Sequence, residues 1–145
     1  MRYVAALTVA CGLCCFTSAL PATKDVDPFA EAGVTRAEAA DFLVTLQVAL
    51  AHDDSERVAA MTMFPLTVRG KRGPRDAAEL LRDFAAVYNA KVRAAVLAQT
   101  VDQLSGNWRG LMIGSGALWA VGTCNADVPA DRCRSHRLMI VAVNN

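Results

Sequence analysis

Few side chains in this chain have the types and spacing to do chemistry. Tyr88 and Asp102 are the acid–base candidates, a phenol at the end of a predicted helix and a carboxylate on a predicted strand. A general acid or base needs a tuned pKa and a partner at hydrogen-bonding distance, and local spacing supplies neither. Asp41 and His52 belong to the first long helix and its end. The competing reading makes Tyr88 a core aromatic with a satisfied hydroxyl, and Asp102 a solvated carboxylate. His52-Asp53-Asp54 combines imidazole with carboxylates, both metal-ligand types. Three successive residues beyond a helix end rarely converge on one ion, so capping and solvation explain them better. Cys124, Cys133 and His136, with Asp131 as a fourth donor, have the spacing C-x8-C-x2-H. That pattern lacks the repeated close pairs of a structural zinc site. A Cys124–Cys133 disulfide is the preferred reading, and closing so short a loop is worth about 2–3 kcal/mol.

Two further groups are candidates for recognition. Arg69, Lys71, Arg72 and Arg75 place four cations in seven residues ahead of a helix start. Such a run can hold an anion beside a helix N-terminus. As a solvated hairpin it needs no ligand, and Asp76 already occupies the helix start. Trp108, beside the turn-forming Ser105-Gly106-Asn107, is a candidate partner contact, because tryptophan is a frequent interface anchor. Phe42, Tyr88, Ile113 and Trp119 are the candidate lining of an apolar ligand pocket. No glycine-rich phosphate loop precedes a helix, no Ser–His–Asp partnership is legible, and no residue pattern calls for a cofactor or metal.

The elements that must position these residues follow from periodicity and capping. Thr35-Arg36-Ala37-Glu38 is a capping box, opening a helix to about Ala51 with Ala39, Phe42, Leu43, Leu46, Ala49 and Leu50 as its apolar stripe. Residues 52–55 cap a short second helix through about Met61. Met63 to Val68 reads as a strand, and Pro65, which cannot donate a ladder bond, suggests an edge or the strand start. Asp76-Ala77-Ala78-Glu79 opens a third helix with Leu80, Leu81, Phe84, Val87 and Tyr88 on its apolar face. Asn89 interrupts it before a further helical piece, Lys91 to Ala98. Thr100 to Leu104 reads as a strand leading into the 105–109 turn. Gly110 to Gly122 then reads as one long strand, with Leu111, Ile113, Ser115, Ala117 and Trp119 on one face. Its paired glycines suggest curvature. Residues 123–135 form a loop, and Arg137 to Val143 a final strand.

The chain of 145 residues fits one domain. Residues 1–22 read as a secretory signal: Arg2, an apolar run from Val4 to Phe16, and small residues up to Ala22. The run is too short to span a bilayer. Residues 23–34 read as a flexible lead-in and 35–145 as the folded domain. Export to the periplasm or the exterior is expected, with lipid anchoring the lesser alternative. Three of the five cysteines lie in the leader, leaving Cys124 and Cys133 for an oxidising compartment. Without Arg2, 15 basic residues become equal in number to the 14 acidic ones. That balance argues against nucleic-acid or general anionic-membrane binding.

Helices early and strands late make an α+β pattern. The Phe64-Pro65-Leu66 strand start after a helix pair, and the 110–119 string Gly-Leu-Met-Ile-Gly-Ser-Gly-Ala-Leu-Trp, resemble small exported members of the NTF2-like family. In that family N-terminal helices pack in a curved antiparallel sheet that forms a cone. The resemblance covers roughly residues 35–143 and implies a homodimer through the open sheet face. Because the family hosts several chemistries and scaffolds, the expectation is a non-enzymatic exported protein recognising a partner protein or a small apolar ligand. The alternative is a small-molecule isomerase or hydrolase using acid–base residues inside the cone.

Overall fold

A computed structural model describes residues 27–124 and 137–145. The expected leader, and Asp131, Cys133 and His136, lie outside the described residues. The order is α1 (Pro28–Glu31), α2 (Arg36–Ala51), α3 (Ser55–Ala60), β1 (Thr62–Val68), β2 (Lys71–Arg72), α4 (Ala77–Val87) and α5 (Ala90–Leu97). A 3-10 turn (Val101–Gln103) leads to β3 (Ser105–Asn107), β4 (Gly110–Ile113), β5 (Leu118–Thr123) and β6 (Arg137–Val143). The fold is α+β, with helices gathered against one six-stranded sheet ordered β2-β1-β6-β5-β4-β3.

The helix starts follow the sequence closely. Thr35 and Glu38 make the reciprocal capping box at α2. The side chain of Asp54 accepts from Arg57 N at α3, Asp76 from Glu79 N at α4, and Asn89 from Val92 N at α5. These bonds satisfy backbone donors that a helix start leaves open. The buried residues of α2 are Ala39, Phe42, Leu43, Leu46, Ala49 and Leu50, the predicted stripe. Helix ends are tied by side chains from elsewhere. Gln47 Nε2 donates to Val96 O at 2.9 Å and to Gln99 O at 2.8 Å. Arg93 donates to Leu50 O and Tyr88 O, each at 3.0 Å, placing a cation at the C-terminal ends of α2 and α4.

Four expectations change. The sheet is mixed, because β1 and β6 run parallel while the other neighbours are antiparallel. A parallel pair needs a crossover, and α4 and α5 lie in the intervening chain. The expected long strand from Gly110 to Gly122 is instead the β4–β5 hairpin. Its reversal takes Gly114, Ser115 and Gly116 through φ of 60°, 55° and 92°, so the glycines mark a turn and not a curved strand. The 100–104 strand is the 3-10 turn, with Gln103 reaching back to Thr100. Pro65 is not at the strand start: it lies inside β1, ahead of the Thr67–Val68 pairing with the two-residue β2 and within the register irregularity between Thr62 and Thr67 where β1 meets β6, a place where a missing donor is tolerated.

The lead-in is also packed where it is described. Phe29 and Val34 are buried, and α1 lies so close to β3 that a Cβ on Gly106 would stand 2.3 Å from Pro28 O.

The hairpin resets the strand faces. Leu111, Ile113, Leu118, Ala120, Leu138, Ile140 and Val143 face the core with Leu43, Leu46 and Leu50 of α2. Register pairs Met112 with Trp119 and Val121 with Met139 on the other face, where all four are half-buried.

Candidate functional site

A groove of about 500 Å³ runs between α2, α3 and the start of β6, within the range of small-molecule sites. Phe42, Met61 and Leu138, all of the buried core, form its apolar floor. Glu38, Asp41, Thr45, Ala60, Arg57 and Arg137 complete the lining. Each is placed by an element already accounted for. Asp41 and Thr45 stand one turn apart on the exposed side of the α2 stripe. Arg137 opens β6, and its guanidinium donates to Ala60 O at 2.8 Å, binding the α3 end to the strand. Glu38 accepts from Thr35 N at 2.7 Å and Thr35 Oγ1 at 2.9 Å. Thr45 and Arg57 also border a second hollow lined by Val44, Val48, Ala49, His52 and Asp54. The depression therefore continues toward the end of α2, past the exposed Val44 and Val48.

The residues proposed for an interior pocket are not brought together. Phe42 reaches the groove floor, whereas Tyr88 and Ile113 belong to the closed core. Trp119 lies on the opposite sheet face beside Met112. The sequence reading set Ile113 and Trp119 on one face because it ran a single strand through the hairpin turn.

Tyr88 is 1% exposed, 5.0 Å from the Phe84 ring, and its Oη has no hydrogen-bond partner. Burial pushes its phenol far above the usual range; neighbouring Thr62 opposes the shift. The Thr62 hydroxyl is itself committed to Val58 O at 2.8 Å, and no bond of acceptable geometry joins it to the phenol. Asp102 is exposed on the 3-10 turn, paired with Arg36 of α2. The two acid–base candidates thus occupy separate environments, one a dry core and one solvent.

The remaining candidates have identifiable roles. Asp54 caps α3, Asp53 pairs with Arg93 at 2.5 Å, and His52 ends α2 in solvent. The basic stretch is the β1–β2 hairpin, turning through Arg69 and Gly70 at φ of 51° and 71°. Arg69 Nε donates to Asn145 O at 2.8 Å. Arg75 pairs with Glu79, whose carboxyl is held down to about 2, first by the Arg75 side-chain hydrogen bond and then by the Arg75 backbone N–H. Lys71 and Arg72 are exposed. Trp108 is 81% exposed at the β3–β4 tip, with the Arg109 guanidinium 4.8 Å from its ring. Cys124 follows β5. Its expected partner Cys133 lies outside the described residues, as do His136 and Asp131.

Sequence reasoning passed over Thr45, Arg57, Ala60, Met61, Arg137 and Leu138. Asp41 and Phe42 were singled out, but their joint role with α3 and β6 depends on contacts distant in sequence. Among the described residues no helix is long and apolar enough to cross a membrane. Comparison with family models, curated proteins and solved structures gave no match.

Proposed function

We propose that this chain is an exported, non-enzymatic binding protein of NTF2-like architecture that recognises its ligand or partner through the α2–α3–β6 groove. The carrying observation is the groove itself: an apolar floor of Phe42, Met61 and Leu138 open to solvent and ringed by both signs of charge. A concave apolar surface with a few polar groups at its rim is the usual form of a recognition site. The NTF2-like reading is supported by the sheet order and by core residues confined to one sheet face. Self-association through the other face belongs to the same reading, supported by the apolar set Met112, Trp119, Val121 and Met139. Trp108 and the Cys124–Cys133 loop remain the proposed secondary contacts for a protein partner.

The test is native mass spectrometry of the protein isolated gently after export, as wild type and as Ala60→Phe. Ala60 is an exposed lining residue, so the larger side chain fills the groove from its rim. The expected result is a bound mass in the wild type that the variant lacks. A bound mass retained by Ala60→Phe, or none in either protein, contradicts the proposal.

A further inference from the structure

Helix α2 is apolar on both sides. Its core side is the stripe already described. On the opposite side Ala37, Ala40, Val44, Val48 and Ala51 recur at spacings of three and four, which stack residues on one helix face. Val44 is 56% exposed and Val48 54%. The outward side of α4, by contrast, carries Glu79, Arg82 and Asp83 in ion pairs. A helix that is apolar all round belongs in an interior. The sheet covers one side of α2, and the second stripe, about 21 Å long from Ala37 to Ala51 at the α-helical rise, is left without cover among the described residues.

The charges beside the stripe identify what covers it. Asp41, Thr45 and Arg57 line the groove, and Thr45, His52 and Arg57 border the hollow with Val44 and Val48. All four polar residues therefore lie on the α3 side of the stripe. The acid stands near the start of α2, the imidazole and the guanidinium near its end. None of these three side chains has a hydrogen-bond or ion-pair partner among the described residues. An isologous twofold contact makes every residue pair twice, once in each direction. Antiparallel pairing of two α2 helices about the point midway between Val44 and Val48 sets Val44 against Val48 of the second copy and keeps the two α3 sides together. Asp41, five residues before that midpoint, then stands against Ala51 and His52, five and six residues after it. Arg57 borders the same hollow as His52. Acid meets base at both ends, and the helix dipoles run opposed. A parallel twofold pairing would set Asp41 against Asp41. The face is its own complement, which singles out a second copy over an unrelated helix. We propose that the outward face of α2 docks a second copy of this chain in antiparallel twofold contact, with Asp41 of each copy against His52 and Arg57 of the other. This contact goes beyond the groove reading and lies on the helical side of the molecule, away from the outer sheet face.

The experiment is sedimentation equilibrium of the purified protein over a concentration series, with circular dichroism confirming that each variant is folded. Val44→Lys with Val48→Lys is expected to weaken self-association at least about tenfold, because lysines then oppose lysines across the contact. Asp41→Lys should weaken it in the same direction, and adding His52→Glu to Asp41→Lys should strengthen it again by at least about threefold. All four positions are exposed, so no change removes core packing. The same Val44→Lys, Val48→Lys effect is expected in a Val121→Lys, Met139→Glu background, which disables the outer sheet face. Self-association unchanged by Val44→Lys with Val48→Lys overturns the proposal, and so does an Asp41→Lys loss that His52→Glu does not recover. A wild type that is monomeric at every concentration assigns the face to a different occupant and overturns it equally. The Ala60→Phe comparison reads the groove separately, so either reading can fail while the other stands.

Discussion

Tyr88 carries a buried hydroxyl without a partner. An unmet buried polar group costs about 1–3 kcal/mol, so Tyr88→Phe should leave the protein as stable or raise its stability by about 1 kcal/mol. Urea unfolding should show a higher midpoint at an unchanged slope. Binding in the groove should be unaffected, because Tyr88 does not line it. A second residue-scale consequence concerns acid. The Glu79 carboxyl is held down to about 2 by Arg75, below its ordinary value near 4.3. A depressed carboxyl stabilises the fold above its unfolded pKa and loses that contribution as pH falls through the folded value. The Glu79–Arg75 contribution should therefore be complete above about pH 4.5 and fade toward pH 2, by a small amount because the pair is solvent-screened. Glu79→Gln should flatten that part of the stability profile, and an NMR titration of the Glu79 carboxyl should report the low midpoint.

The β4–β5 hairpin depends on close backbone packing at its base. Gly110 has φ of 124°, and a Cβ there would stand 2.3 Å from Ala120 O. Gly110→Ala should cost about 1–3 kcal/mol, read as a lower thermal midpoint, whereas Ser115→Gly at φ of 55° should be neutral or mildly stabilising. The contrast between helices and strands also explains what was legible. Caps and the α2 stripe are local signals, with Thr35, Asp54, Asp76 and Asn89 each acting within four residues of itself. Strand limits are not local: Met112 and Trp119 face each other because Gly114 to Gly116 reverse the chain, and alternation alone passes through such a turn without a break. Phe29 was missed among polar neighbours because its anchor, the α1–β3 contact, is distant in sequence. The groove follows the same rule. Asp41 and Phe42 drew notice as single residues, but Arg57, Met61, Arg137 and Leu138 join them only through tertiary packing.

In the whole molecule, the sheet separates a closed core from a half-buried apolar face, and the groove lies at the margin of the core between α2, α3 and β6. If the outer face carries self-association, Val121→Lys with Met139→Glu should lower the sedimenting mass while leaving the groove intact; sedimentation identical to wild type would remove that part of the proposal. The central claim is that recognition takes place in the groove. Its most direct test is a protein-detected NMR titration of the purified protein with small apolar fragments. The account predicts that binding fragments perturb Phe42, Thr45, Met61 and Leu138 together, and that Ala60→Phe abolishes the response. Fragments that bind elsewhere while those four signals stay fixed, or an unchanged response in Ala60→Phe, would contradict it.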